Sequence, residues 1–327
     1  MRTFLSSIPQ HTHLYLHYGL SLCLNSAPRP PSGVWCPAVT FFDHETDSLD
    51  LASQSQYFAY LSRTGLAGLV ILGTNSEAFL LTREERSQLI STARASVGPD
   101  FPLMVGVGAH STKQVLELAQ DAATAGANYL LRFFSEVAAK APLPVVMYNF
   151  PGVCNGVDMD SETITAVVRE SAAANGGRSN VVGVKLTCGS VGKITRLAAT
   201  FSAEEFATFG GQSDFLIGGL AAGSVGCIAA FANVFPKTAS RVYALYQKGQ
   251  LEDATKLQRQ AALAESPIKS GIASTKYAVS CYSASAAGIA DAEAKLLPRH
   301  PYEPVGEAVK KSVTAVMAEV AAIEKSL

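Results

Sequence analysis

What this 327-residue sequence lacks narrows it before any motif is read. Its six cysteines, Cys23, Cys36, Cys154, Cys188, Cys227 and Cys281, are scattered, include no CxxC pair, and in several cases sit inside apolar runs. That spacing excludes a disulfide framework and a zinc knuckle, and predicts buried thiols in a reducing compartment. His11, His13 and His17 lie in the N-terminal tail while His44, His110 and His300 stand apart, so no metal site is expected. No basic stripe is present and the formal net charge is −1, which excludes binding to nucleic acid by phosphate neutralisation. No apolar run approaches the ~18 residues of a membrane span. Charged residues are scarce, 16% against 48% hydrophobic, the composition of a large buried core rather than of disorder.

The tail lacks acid as well. No carboxylate side chain precedes Asp43, and the stretch closes in Ala27-Pro-Arg-Pro-Pro31. A transit peptide would be richer in arginine than Arg2 and Arg29 allow, and a secretory core would not carry three histidines. Residues 1–32 therefore read as a poorly ordered extension. A cytoplasmic location is the expectation, with a mitochondrial one as the alternative.

From Gly33 onward short apolar runs alternate with longer amphipathic ones, the pattern of repeated βα units. Strands are predicted at Val34–Phe42, Gly68–Gly73, Leu103–Gly108, Asn128–Leu131, Pro144–Asn149, Val181–Leu186, Phe206–Gly210 and Gly226–Ala230. Helices are predicted at Leu49–Arg63, Thr82–Val97, Ser111–Ala125, Arg132–Lys140, Asp160–Ala174, Val191–Ala199, Ser213–Ala221 and Pro236–Lys248. Thr82-Arg-Glu-Glu85 has the form of a capping box. Eight strands each followed by a helix is the count of a closed (β/α)8 TIM barrel, here residues 33–248. An open doubly wound sheet would more often carry a GxGxxG turn, and none is present. Past Gly249 the strands stop. Leu251–Ser266, Ile268–Ser280 and Gly306–Leu327 read as a C-terminal helical appendage, residues 249–327.

In such barrels the reacting groups stand at the C-terminal ends of strands. Lys185 breaks the apolar run Val181-Val-Gly-Val-Lys-Leu-Thr187, where a strand buried on both faces should carry no charge. Apolar walls favour the neutral amine, the form that attacks a ketone to make a Schiff base. The bland reading is a strand-end lysine reaching solvent or an ion pair. Tyr148, at the end of Val145-Val-Met-Tyr148, could relay protons or simply be a satisfied core tyrosine. Thr74, Asn75 and Glu77 form a polar strand-to-helix turn that suits a carboxylate, and equally an ordinary βα turn. Gly210-Gly-Gln-Ser-Asp214 and Gly223-Ser-Val-Gly-Cys-Ile228 let backbone approach a ligand closely, or bind phosphate.

Taken together these residues resemble the dihydrodipicolinate synthase / N-acetylneuraminate lyase family of class I aldolases, from about Gly33 to the C-terminus. The likeness rests on Gly73-Thr-Asn-Ser-Glu77, Tyr148-Asn-Phe-Pro151, Gly183-Val-Lys185 and Gly210-Gly-Gln-Ser-Asp214. It implies that Lys185 forms the imine with C2 of a 2-oxo acid, that Tyr148 shuttles the proton, and that Thr74 and Asn75 hold the carboxylate. Gly211 and the backbone of Ile228 would complete the pocket. No cofactor is implied, the partner is a small 2-oxo acid, and a homo-oligomer, dimer or tetramer, is expected.

Three departures refine the expectation. The synthase branch has a second threonine where Asn75 stands, and an arginine near Val153 for a second carboxylate. A Thr-Asn pair looks more like the 4-hydroxy-2-oxoglutarate and 3-deoxy-hexulosonate aldolase branch, with dihydrodipicolinate synthesis the alternative. Relatives also insert a loop after the fourth strand that brings an aromatic residue to the site. Here Leu131 runs straight into Arg132-Phe-Phe-Ser-Glu136, and about a dozen residues link strands four and five, near the minimum for a parallel crossover. A catalytically impaired member is the corresponding alternative.

Overall fold

A computed structural model describes residues 28–132 and 137–327. Eight parallel strands close into a barrel: β1 (Gly33–Pro37), β2 (Gly68–Ile71), β3 (Leu103–Gly106), β4 (Tyr129–Arg132), β5 (Val145–Asn149), β6 (Val181–Leu186), β7 (Ala207–Gly210) and β8 (Gly226–Ile228). Each pairs with its sequence neighbours, and β8 returns to β1 through Gly33 opposite Gly226. The strands are apolar on both faces because one face meets the helices and the other fills the barrel. Trp35, Val70, Met104, Tyr129, Leu131, Val146, Val182, Phe209 and Ile228 form the interior cluster; Val34, Leu69, Ile71, Val105, Leu130, Met147 and Val184 alternate with them in the outer one. Trp35 lies over Gly68, where a β-carbon would come within 2.4 Å of the indole.

One irregularity decides where the chemistry points. Val145 pairs with Val181 but Val146 pairs with Gly183, so Val182 is an extra residue in β6. Val182 faces inward; without the bulge the inward set would run through Val184 and leave Lys185 among the helices. The inserted residue resets the alternation, and Tyr148 and Lys185 become inward-facing cross-strand partners.

The outer helices are α1 (Leu51–Leu61), α2 (Arg83–Val97), α3 (Thr112–Thr124), α4 (Ser161–Ala174), α5 (Val191–Thr200), α6 (Leu216–Ala221), α7 (Phe231–Val234) and α8 (Pro236–Gln247). Asp50, Ser111, Asp160 and Ser190 cap their helices, and Thr82 with Glu85 forms the expected capping box. After it come α9 (Leu251–Glu265), a 3-10 segment Ser266–Ser270, α10 (Ile272–Cys281), the short α11 (Ser283–Ala286) and α12 (Ala292–Lys295), and α13 (Glu307–Ser326). Gly271, at φ 143°, separates the 3-10 segment from α10, so the single helix expected over Ile268–Ser280 is two pieces.

Other expectations are corrected. The first strand stops at Pro37 rather than Phe42, because Asn233 and Gln54 side chains bind the next backbone groups and draw the chain away. Phe42–Asp43 instead pairs antiparallel with Ser48–Leu49. The helix expected at Arg132–Lys140 is not formed by its described part: Val137–Lys140 is a turn closed by Lys140 N–H and Ala141 N–H donating to Val137 C=O, and residues 133–136 lie outside the described residues. Of the cysteines, Cys36 and Cys227 are buried thiols, Cys154 and Cys188 are half-buried, Cys281 is exposed, and Cys23 lies outside the described residues. So do residues 1–27 of the expected extension. Residues 28–32 are held against the barrel: Trp35 Nε1–H donates to Pro31 C=O and Tyr129 O–H to Arg29 C=O. Among the described residues no helix is long and apolar enough to cross a membrane.

Candidate active site

Lys185 is 6% exposed and its Nζ stands 4.5 Å from the centre of the Tyr148 ring. Both face a chamber of about 350 Å³ at the C-terminal mouth of the barrel, together with Thr74, Asn75, Thr187 and Gly211. A second lobe of about 360 Å³ adjoins it toward β3 and β4, sharing Thr74, Tyr148, Val153 and Tyr302. Of the six predicted residues, the structure brings Lys185, Tyr148, Thr74, Asn75 and Gly211 to one chamber. Ile228 sits instead in the interior cluster beneath it, fully buried, and Ala230 lines the chamber from that segment.

Thr74 and Asn75 open the 3-10 turn Thr74–Ser76, whose first internal donor is Ser76 N–H to Gly73 C=O at 3.1 Å. Their own N–H groups precede that bond and have no acceptor within the turn, the arrangement that receives a carboxylate. The turn is fixed from below: Ser76 Oγ–H donates to Ala38 C=O at 2.6 Å, and Thr40 Oγ1–H to Ser76 C=O at 2.8 Å.

Its last anchor comes from far along the chain. Glu77, in the left-handed region at φ 54°, is fully buried and accepts from Lys276 Nζ at 2.6 Å and from Arg299 N–H at 2.7 Å. Lys276 also donates to Leu297 C=O at 2.9 Å and lies 4.6 Å from the centre of the Phe42 ring. Burial pushes the Lys276 ammonium down to about 8 against the pull of Glu77. Sequence reasoning placed Glu77 near the site but missed Lys276, which reads there as one more polar residue of a helix.

Arg86 braces the same rim from α2, donating to Ala78 C=O at 2.9 Å and Gly106 C=O at 2.8 Å; burial lowers it to about 10. On the opposite wall Gly211 N–H donates to Leu186 C=O at 2.9 Å. A β-carbon on Gly211 would fall 2.2 Å from Thr187 Oγ1 and 2.4 Å from Thr187 Cα, so only glycine allows this approach. Thr187 Oγ1 is buried with no hydrogen-bond partner among the described residues, an open polar group beside the lysine. Strand alternation past Lys185 was the available signal for it.

Behind Gly211, Glu265 of α9 accepts from Ser213 Oγ–H at 2.7 Å and from Ser213 N–H at 3.3 Å; burial raises its carboxyl. Lys269 of the 3-10 segment Ser266–Ser270 contacts Asp214 and donates to Gln212 Oε1 at 3.3 Å. Glu265 and Lys269 both line the chamber, so the C-terminal appendage supplies part of its wall.

The sequence profile of the Dihydrodipicolinate synthetase family matches residues 30–320. A Coccidioides immitis (strain RS) protein with the provisional name mitochondrial 4-hydroxy-2-oxoglutarate aldolase is 64% identical, the match covering 92% of this chain and 99% of that protein. That alignment spans 318 positions, more than 92% of 327 residues can fill, so the relative carries positions that this chain lacks. The L-threo-3-deoxy-hexylosonate aldolase of Hypocrea jecorina is 31% identical, with coverage of 92% and 99%. Among solved structures, a dihydrodipicolinate synthase family protein from Coccidioides immitis superposes with a TM-score of 0.86 at 61% identity, covering 92% of this chain and 99% of that one.

Proposed function

The chain belongs to the dihydrodipicolinate synthetase family, and from that premise we propose that it is a Schiff-base aldolase, a carbon–carbon lyase that splits a 4-hydroxy-2-oxo acid into pyruvate and an aldehyde. The observation that carries this reading is one inward-facing lysine, buried beside a tyrosine at the mouth of a closed barrel. Thr74 and Asn75 receive the substrate's C1 carboxylate. Lys185 Nζ attacks C2, water leaves, and a protonated imine forms. Tyr148 takes the proton of the C4 hydroxyl, the C3–C4 bond breaks, and its electron pair passes into the imine to give an enamine while the aldehyde departs. Protonation at C3 and addition of water release pyruvate and restore the amine.

4-Hydroxy-2-oxoglutarate is the substrate that fits best, in keeping with the name of the 64%-identical relative; cleavage would give pyruvate and glyoxylate. Dihydrodipicolinate synthesis is less favoured, since Asn75 stands in the carboxylate turn and Val153, half-exposed, occupies the rim where that branch carries arginine. The shortened β4–β5 connection favours a second reading, in which the imine forms but turnover is slow. A mitochondrial location and a dimer or tetramer accompany the proposal.

Pyruvate plus borohydride should leave a reduced adduct on Lys185, located by peptide mass spectrometry, and none in Lys185→Arg. An unmodified Lys185 sinks the proposal. Adduct without aldehyde release from 4-hydroxy-2-oxoglutarate selects the impaired reading.

A further inference from the structure

A five-carbon dicarboxylate brings two negative groups into the chamber, and the carboxylate turn with Lys185 accounts for only one end of it. Among the described residues three basic side chains line the two lobes: Arg86, Lys185 and Lys269. Arg86 is buried, and both its Nη groups are committed to the carbonyls of Ala78 and Gly106, leaving only its enclosed Nε without a partner among the described residues. Lys185 is the imine-forming amine. Lys269 remains, and we infer that it binds the second, distal carboxylate of the substrate, making the C-terminal appendage the part of the molecule that selects a dicarboxylate over a neutral polyol tail. This inference rests on the aldolase reading for the identity of the substrate.

The geometry favours a ligand-exchanging role over a purely structural one. The Lys269 side chain is 40% exposed and that of Asp214 25% exposed, whereas Lys276 and Glu77 are both at 0%. An ammonium has three donors. Asp214 and Gln212 take two, which leaves one for a ligand in the chamber that Lys269 lines. The backbone that carries Lys269 is short and bounded by Pro267 and the positive-φ Gly271, so the ammonium is presented from a restrained segment. Asp214 and Glu265 set a limit on anion affinity, since Glu265 lines the same wall and Asp214 pairs with Lys269 behind it. Glu265 is held by Ser213, and burial biases its carboxyl toward the neutral form. Asp214 is the group that the incoming carboxylate would displace from Lys269.

The test compares two five-carbon probes that differ only at the far end, 2-oxoglutarate and 2-oxopentanoate. Binding is read by calorimetry, which needs no imine, and borohydride trapping is run in parallel. The unsubstituted protein should bind 2-oxoglutarate more tightly than 2-oxopentanoate. Lys269→Met should weaken 2-oxoglutarate by ~10–100-fold, the loss of one charge-assisted hydrogen bond, and leave 2-oxopentanoate and pyruvate trapping unchanged. Lys269→Arg should retain the preference, and Asp214→Asn should strengthen it. Equal weakening of both probes, or no change in either, overturns the assignment. A calorimetric preference that is lost in Lys269→Met, with no borohydride adduct in any protein, overturns the Schiff-base reading while leaving Lys269 in place.

Discussion

Two turns flank the lysine, Thr74–Glu77 after β2 and Gly211–Asp214 after β7, and the C-terminal helices tie down both with a lysine on a carboxylate. The resemblance stops at burial. Glu77 and Lys276 are wholly enclosed, and Arg299 N–H completes the second carboxylate oxygen. Asp214 and Lys269 are partly open to solvent, and Lys269 borders the chamber. A fully desolvated pair cannot lose one member without stranding a charge, so it acts as part of the core. A half-exposed pair is screened, contributes little to stability, and can exchange partners when a ligand arrives. One turn is thus built to stay, the other to respond.

Breaking the buried pair should give the largest effect. Lys276→Met leaves the buried Glu77 without its cation, held only by Arg299 N–H, and should cost about 3–5 kcal/mol in urea unfolding. Adding Glu77→Gln should recover most of that loss, while Lys269→Met should stay within about 1 kcal/mol of the unsubstituted protein. Equal losses at Lys269 and Lys276 would erase the contrast between the turns.

Gly211→Ala probes the second turn where it is rigid. The new methyl overlaps Thr187, so the end of β6 must shift, at a cost of about 1–3 kcal/mol, with slower borohydride trapping of pyruvate at Lys185. Unchanged trapping would mean that this approach of backbone to β6 does not position the site.

The smallest effect sharpens the first turn. Lys276 titrates at about 8 in the folded chain, below the ordinary 10.5. Between these values the unfolded chain holds a proton that the folded one has released, so this residue alone makes stability rise with pH. Relative to the Glu77→Gln/Lys276→Met protein, the gain should be about 1 kcal/mol between pH 8 and 9, read from urea midpoints. A flat difference would place the proton elsewhere.

Much of this was legible in the chain. The alternation of apolar runs located all eight strands, and the charge inside Val181–Leu186 singled out Lys185, because each signal is local and repeats with the period of its element. Ends were less legible: the run from Val34 to Phe42 is apolar throughout, and only the hydrogen bonds from Asn233 and Gln54 show why β1 stops at Pro37. The same holds for Ile228, whose inward position could be expected from alternation but whose depth below the chamber could not.

By itself the sequence determined where the eight barrel strands and most of the helices would lie, where a lysine would interrupt apolar strand, and that a glycine turn would follow β7. The tertiary structure alone decided which way that lysine faces, through one extra residue at Val182, and which distant groups hold the rim, through a pair 199 positions apart. The physical reason is range. Periodicity is written into neighbouring residues, whereas strand register and the partnering of buried charges are settled only when separate segments are brought together.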